Sequence, residues 1–287
     1  NNTKLNAYLC NYRGLTYWKR SNYSKALGNY QEGVKLSSKI NDVVQIVKFK
    51  ANIALLNEGV GNYQLSIKIL RQNDTFLDKN ESLYEKDQFQ NSKSNTYTNL
   101  GNSYEGYYYK NREKAYLLDS AEYYYKKGIA YSDRFIDNKT ISKLSLGNIY
   151  LFKKEYKNAE KIYYDIAFYA KQTDNEDLYQ IASYNLGDLY YSTKKYDKAL
   201  IFLKKVDSIS QKNKVMDNSY FKSNYIQAKI YSIKNEPELA YKHSKIYLDS
   251  YEKYEGNLRE ETLEVNYKLG TADLSDEMLR VQEKYKY

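Results

Sequence analysis

The sequence contains very few of the residues that build catalytic and metal centres: among 287 residues there are one His, one Cys and two Met. A Cys/His zinc site needs about four ligands, so that class of site is excluded. A catalytic triad could use only His243 as its imidazole, and we expect this residue at the surface of a lysine-rich helix. Cys10 has no partner for a disulfide within the sequence, and we expect it to pack as a small apolar residue. We therefore predict no catalytic residue, no metal and no cofactor.

Residues that interrupt helices are also scarce, with one Pro and 12 Gly. This composition favours long, uninterrupted helices. The mean hydropathy of −0.84 is low because 37 residues are Tyr, which can bury a ring while its hydroxyl stays hydrated. No run approaches the roughly 18 apolar residues that a membrane-spanning helix requires, so we predict no membrane span.

Basic residues exceed acidic ones by 45 to 36, which gives a formal charge of +9. A basic surface is a feature of nucleic-acid-binding proteins, and a nucleic-acid-associated module is one alternative function. The lysines are interleaved with Asp and Glu, however, and several fall in pairs that we expect in turns, namely Lys153-Lys154, Lys194-Lys195 and Lys204-Lys205. We therefore favour a hydrated surface and consider nucleic acid an unlikely partner.

The sequence repeats with a period of 40 to 47 residues. Each copy begins with a small residue, which in five of the six copies is followed three positions later by Tyr. The small residues are Gly14, Ala54, Gly101, Gly147, Gly187 and Ala228. A second element follows in most copies, with an aromatic residue, a small residue three positions on and a large residue four further, as in Tyr156, Ala159 and Tyr163. Spacings of three and four place such residues on one helical face, so each repeat is predicted to be a pair of helices.

This pattern resembles the tetratricopeptide repeat family over about residues 5–255, and it is clearest at Ser145–Tyr150 and Asn185–Tyr190. The period is longer than the usual period of about 34 and is similar to that of a long-period subclass. The resemblance implies an all-α, right-handed α-solenoid of about six helix pairs with a C-terminal capping segment. We place the repeat domain at 1–256 and capping or linker helices at 257–287. The expected repeats are near 5–41, 42–87, 88–136, 137–174, 175–213 and 214–255.

Three departures from a regular array are expected. The third copy carries an insertion at Gly106–Glu113, which should lengthen its hairpin. The polar stretch Gln72–Gln88 should form a loop or a short extra helix. Gly270–Asp273 should end one helix, and a last helix should begin near Ser275, whose side chain can cap it.

The first helix of each stacked pair is expected to line a concave surface. Its outward positions are rich in asparagine, whose amide offers both donors and an acceptor and therefore suits the backbone of an extended peptide. The resemblance implies peptide binding through asparagines so placed, although helix capping and an Asn-rich composition are an alternative explanation. The predicted groove residues are Asn52, Asn99, Asn102, Asn148, Tyr184, Asn185, Asp188, Tyr191 and Tyr225.

These features together predict a non-enzymatic module that binds a protein or peptide segment. The tail, at Leu248–Ser250 and Glu264–Tyr267, resembles that of repeat-bearing bacterial sensor kinases and transcription regulators. That likeness implies a sensory or scaffolding role, in either the cytoplasm or the periplasm, with an output domain expected beyond Tyr287. Self-association through tyrosine-rich faces, including a homodimer, is a further alternative.

Overall fold

The computed structural model describes residues 2–284, except for the side chains at 253–255, 257 and 271–284. Within this range the chain is all-α, with twelve α-helices, one 3₁₀ helix at Glu81–Leu83 and no strand. The α-helices are α1 Thr3–Lys19, α2 Tyr23–Lys39, α3 Val43–Gly59, α4 Tyr63–Lys79, α5 Lys86–Lys110, α6 Tyr116–Ala130, α7 Ile136–Phe152, α8 Tyr156–Gln172, α9 Glu176–Ser192, α10 Tyr196–Asn213, α11 Asn218–Ile233 and α12 Pro237–Lys284. Consecutive helices form the repeating pairs that the sequence predicts.

Most of these helices are joined by turns of three residues whose middle residue has a left-handed backbone. Gly61 has φ 83°, Lys154 has φ 62° and Lys194 has φ 59°. The next N–H then donates back to a helical carbonyl, as from Glu155 to Tyr150 at 2.8 Å. This arrangement satisfies the last carbonyls of a helix and reverses the chain. The pairs Lys153-Lys154 and Lys194-Lys195 therefore lie in chain reversals, as expected from the sequence. The expectation was wrong for Lys204-Lys205, which lies within α10.

In several repeats the small residue of the first helix allows a large side chain of the second helix to pack closely. Tyr30 and Tyr163 are completely buried, and a Cβ atom at Gly14 or Gly147 would overlap their rings. The alternation of small and aromatic residues is therefore a packing pattern, because interiors of proteins leave little free volume.

The chain divides into two compact units. Unit 1 comprises residues 1–107 and 255–287, and its core contains Ala26, Tyr30, Phe49 and Leu56. Unit 2 comprises residues 108–254, and its core contains Tyr163, Leu186, Tyr190 and Leu203. Cys10 is buried in the core of unit 1, as predicted.

Two expectations about helix boundaries were wrong. The polar residues 72–79 continue α4, and only residues 80–85 lie between α4 and α5. α12 runs from Pro237 to Lys284 without the expected break at Gly270–Asp273, because a single glycine costs an α-helix only about 1 kcal/mol. No helix boundary therefore separates 257–284 from the preceding repeat, and the expected capping by Ser275 lies outside the described side chains.

The insertion in the third repeat does lengthen its first helix, since α5 ends nine residues after Gly101 whereas α7 ends five residues after Gly147. None of the described helices has the length and apolar character needed to cross a bilayer.

Candidate ligand-binding site

Unit 1 contains an open cavity of roughly 430 Å³ between the first helices of two successive repeats. Two predicted residues, Asn52 of α3 and Asn99 of α5, line it together. Amide, hydroxyl and small apolar side chains make up most of its surface, and Lys48 is its one charged residue among the described side chains. The lining residues are Val44, Val47, Lys48, Ala51, Asn52, Leu55, Gln88, Asn91, Ser92, Asn95, Thr96 and Asn99.

The asparagine side chains in this cavity differ in whether they already make hydrogen bonds within the protein. Asn52 donates from Nδ2 to Oδ1 of the buried Asn11 at 3.3 Å. Asn95 is exposed and donates from Nδ2 to Oδ1 of Asn91 at 3.2 Å. Asn99 is half-buried and makes no side-chain hydrogen bond within the described part of the chain. The Asn99 amide is therefore the one best placed to bind a ligand.

Sequence reasoning missed Asn91 and Asn95, which stand about two turns and one turn, respectively, before Asn99 on α5. The spacing 91, 95, 99 repeats every four residues and so places all three amides on one helical face. That periodicity was the available signal. Asn102, which was predicted, is half-buried and does not line the cavity.

In unit 2 the corresponding helices carry aromatic and charged side chains. Tyr184, Asp188 and Tyr191 lie at the predicted positions on α9 and are all partly buried. Burial raises the pKa of Asp188 to about 6, and the positive charge of Lys222 on α11 opposes this increase. Burial and the neighbouring Asp188 carboxylate also raise the pKa of the Tyr184 hydroxyl. The two predicted residues therefore share one electrostatic environment.

Tyr225 on α11 is 41% exposed and belongs to an aromatic cluster. Its ring centroid lies 4.8 Å from that of Tyr247 on α12, which in turn lies 5.6 Å from that of Tyr251. The Lys229 ammonium sits 4.2 Å from the Tyr225 ring centroid, within the range of a cation–π interaction. A second cavity of roughly 430 Å³ lies beside this cluster, lined by Asn218, Phe221, Lys222, Tyr247, Ser250 and Tyr251.

Two predicted asparagines are placed differently from the expectation. Asn185 is only 6% exposed, so its amide faces the packed interior of unit 2. Asn148 is half-buried, and its Oδ1 accepts a hydrogen bond from the Tyr163 hydroxyl at 2.7 Å. In both cases the amide contributes to packing between helices, so the candidate site is better defined by Asn52 and Asn99.

The expectation that His243 is a surface residue was also wrong. His243 is 8% exposed, stacks on the Tyr231 ring at 5.3 Å and places Nδ1 2.6 Å from Oδ1 of Asn224. Burial lowers its pKa to about 4, and the charges of Lys242 and Lys204 act in the same direction. Among the described residues no group of three or more His, Cys, Asp or Glu side chains is arranged to hold a metal ion.

Comparison with known proteins assigns the repeat. Residues 182–213, which cover most of α9 and α10, match the tetratricopeptide repeat family. This stretch is similar to a tetratricopeptide repeat (TPR). It contains Gly187 and Ala199, two of the small residues from which the sequence pattern was derived, and the predicted TPR resemblance is confirmed. No curated protein shows significant sequence similarity to the chain.

Solved TPR-like structures share the fold at low sequence identity. A Rap protein in complex with competence and sporulation factor has a TM-score of 0.60 and 12% identity, over 88% of this chain and 76% of that one. The Rap conjugation gene regulator of plasmid pLS20, in complex with the Phr* peptide, has a TM-score of 0.59 and 13% identity over the same shares. PilF of Pseudomonas aeruginosa has a TM-score of 0.51 and 13% identity, over 94% of this chain and 100% of that one.

These likenesses confirm the predicted fold class, an all-α repeat solenoid of TPR-like helix pairs. The handedness of the superhelix, the long-period subclass and the resemblance of the tail to that of sensor kinases stay predictions.

Proposed function

We propose that this protein is a non-enzymatic TPR module that binds an extended peptide or protein segment in the α3/α5 cavity of unit 1. The observation that carries the proposal is the asparagine-lined cavity in which Asn99 retains a free amide. An extended peptide presents alternating N–H and C=O groups along its backbone. One Asn side chain can donate to such a carbonyl and accept from such an N–H at the same time.

The charge of the cavity supports a neutral or mildly acidic ligand. Lys48 is the charged residue among those that line it, and no lining carboxylate would repel an acidic group. Small residues such as Ala51 and Ser92 leave room for side chains of the ligand beside the amides. The ligand would therefore be held mainly through its backbone.

The aromatic cavity of unit 2 would supply anchoring area for an apolar or aromatic ligand residue. Aromatic side chains in well-packed pockets account for much of the binding energy in protein interfaces. Phe221, Tyr247 and Tyr251 line this cavity, with the Lys222 ammonium at its edge. We therefore include the predicted Tyr225 and its neighbours in a second contact surface for the same class of ligand.

Two structural neighbours were solved with a peptide or a sporulation factor bound, which supports a peptide-binding role for this chain. By the same analogy we propose that the module is the sensory or scaffolding region of a bacterial signalling or transcription-regulatory protein. An output domain beyond Tyr287 and a possible dimeric state belong to this proposal.

The test is capture of a synthetic library of random heptapeptides by the immobilised full chain. Exchanging Asn99 for Ala removes two potential hydrogen bonds to the ligand, which together contribute about 1–3 kcal/mol. We expect the Asn99→Ala variant to bind the selected peptides about 10 to 100 times more weakly. Because the Asn99 side chain makes no hydrogen bond within the described part of the chain, the melting temperature of the variant should stay close to that of the wild type.

A matched control is Asn6→Ala, which removes an exposed amide of α1 outside the cavity and should leave capture unchanged. Equal capture by the Asn99 and Asn6 variants would show that the cavity is not the site. The salt dependence then separates peptide binding from the nucleic-acid alternative. Phosphate-driven binding of an oligonucleotide weakens steeply between about 50 and 200 mM salt, whereas binding through amides should change little.

A further inference from the structure

A segment of α12, residues 258–269, packs against the core of unit 1. Val265 is completely buried in the cluster that contains Ala26, Leu27 and Val60, and Leu269 packs against the same cluster. The segment therefore contributes to the core of the first two repeats although it lies about 200 residues later in the sequence.

Polar contacts fix this segment to the beginning of α2. The backbone N–H of Ser24 donates to the Glu261 carboxylate at 3.0 Å, and the Ser24 hydroxyl donates to the Glu264 carboxylate at 2.6 Å. The Lys268 ammonium donates to the Ser24 carbonyl at 3.2 Å and also contacts the Ser24 hydroxyl. All three side chains of the segment therefore meet at one serine.

The two carboxylates supply negative charge that α2 itself lacks at its N-terminus. The first turn of an α-helix has unpaired N–H groups and a partial positive charge, which favour acidic side chains. α2 has no acidic residue in its own first turn. Glu261 and Glu264 supply the negative charge from a distant part of the chain.

A second contact involves the start of α4. Asn62 donates from Nδ2 to Oδ1 of Asn266 at 2.7 Å. Its side chain does not cap α4, whereas Asn22 and Asp42 at the equivalent positions do cap α2 and α3. The Asn62 amide thus bonds to the segment, and also to Oδ1 of Asn57 on α3 at 3.3 Å, instead of capping its own helix.

Four of the contact residues form one stripe, and two large apolar side chains elsewhere on the segment are exposed. Glu261, Glu264, Val265 and Lys268 have the spacing i, i+3, i+4, i+7, which is that of one helical face. Leu263 is 69% exposed and Tyr267 is 72% exposed. Apart from the packing of Val265 and Leu269, the contacts of the segment are hydrogen bonds to Ser24 and Asn62, and on the side of the segment the Glu264 and Lys268 side chains remain partly exposed.

We propose that the starts of α2 and α4 form a docking site for an acidic helix, and that residues 258–269 are its releasable occupant. In the docked state the segment completes the core of unit 1 around Val265. In the released state it is a solvent-exposed helix leading to the chain that follows. The proposal does not depend on the peptide-binding cavity, because the docking residues are not among those that line it.

Hydrogen exchange of the full chain, followed by mass spectrometry, tests the docking contact. Glu264→Ala removes the acceptor of the Ser24 hydroxyl, and Val265→Ser removes the buried apolar contact. We expect amides in 258–269 to exchange at least ten times faster in both variants. A synthetic peptide of residues 257–270, added in excess to the wild-type chain, should accelerate exchange in the same segment by competing for the site.

Glu260→Ala is the matched control, because it removes the same charge from an exposed position one turn before Glu264. Exchange in 258–269 should then equal that of the wild type. Unchanged exchange in the Glu264 and Val265 variants would show that the contact does not hold the segment. Equal acceleration throughout α1–α4 would show that the segment is an inseparable part of the core, and this result would also overturn the proposal.

Discussion

Glu58 on α3 is an acidic residue whose environment in the folded protein destabilises the ionised form of its carboxyl group. Burial raises the pKa of its carboxyl to about 7, and the nearby Glu105 carboxylate adds to the increase, although the Ser103 hydroxyl donates to Glu58 at 3.2 Å. The ordinary value is 4.5. Between these two pH values the folded state holds more protons than the unfolded state, so the stability of unit 1 must fall as the pH rises from about 4.5 to about 7.

The size of this effect follows from the pKa difference. A shift from 4.5 to about 7 corresponds to about 3 kcal/mol of stability lost above pH 7, at 1.36 kcal/mol per pH unit. Glu58→Gln removes the charge and keeps an oxygen that can accept from Ser103. We therefore expect this variant to be about 3 kcal/mol more stable than the wild type at pH 8.5, and nearly equal to it at pH 4.5.

Urea denaturation at the two pH values measures this difference. Trp18 is the single tryptophan and packs against the core of unit 1, so its fluorescence reports on the relevant unit even if the chain does not unfold in a single step. Glu85→Gln, at an exposed position of the same unit, controls for the general effect of removing a negative charge. A difference between Glu58→Gln and the wild type that is the same at both pH values would refute the reasoning.

Two further predictions concern packing and pH. Gly33→Ala should destabilise unit 1 by about 1–3 kcal/mol, because a Cβ atom there would overlap the Phe49 ring. Gly28→Ala, which has open space around it, should instead stabilise unit 1 by about 0.5–1 kcal/mol. Urea titration of both variants compares their free energies of unfolding, and equal effects would contradict the packing argument. Because burial lowers the pKa of His243 to about 4, the unfolded state binds the proton more readily, and stability should decrease by up to about 3 kcal/mol as the pH falls from 6.5 to 4. The His243→Gln variant should show a smaller decrease in melting temperature over that range, and an identical decrease would exclude His243 as the cause.

The repeat architecture was predictable because it depends on local rules that every copy obeys. The spacing of Gly147, Ala159 and Tyr163 encodes close packing within a pair, and the structure confirms that packing. The break expected at Gly270 failed because the local cost of glycine was given too much weight. Favourable helix formation on both sides of Gly270 can outweigh that cost, as in the continuous α12.

His243 shows a different limit of sequence reasoning. The lysines that flank it suggest a solvent-exposed face, but residues adjacent in a helix point in different directions. Its side chain instead faces Asn224, which is itself 1% exposed. A single titratable residue on a helix cannot be assigned to the surface from its neighbours in sequence, because those neighbours can face solvent while the residue itself lies on the buried face of the helix.

The candidate site illustrates why repeat position alone does not determine function. Asn52, Asn99 and Asn185 all stand two residues before the small residue of their repeat, yet the first two line a cavity and the third is buried. In unit 1 slim side chains such as Ala51 and Ser92 surround the position and leave it open. In unit 2 the first helices carry the larger side chains of Tyr184, Tyr191 and Tyr225 near the corresponding positions.

Whether the asparagine amide is open to a ligand therefore depends on the size of the neighbouring side chains along the first helices. A stripe of small residues exposes amides for hydrogen bonding, whereas a stripe of tyrosines converts the same backbone position into an aromatic surface with partly buried charge, as at Asp188. One repeating backbone thus presents two surfaces of different chemistry. In this protein we therefore expect the ligand contacts along α3, α5, α9 and α11 to depend on side-chain volume more than on the position of any single polar residue.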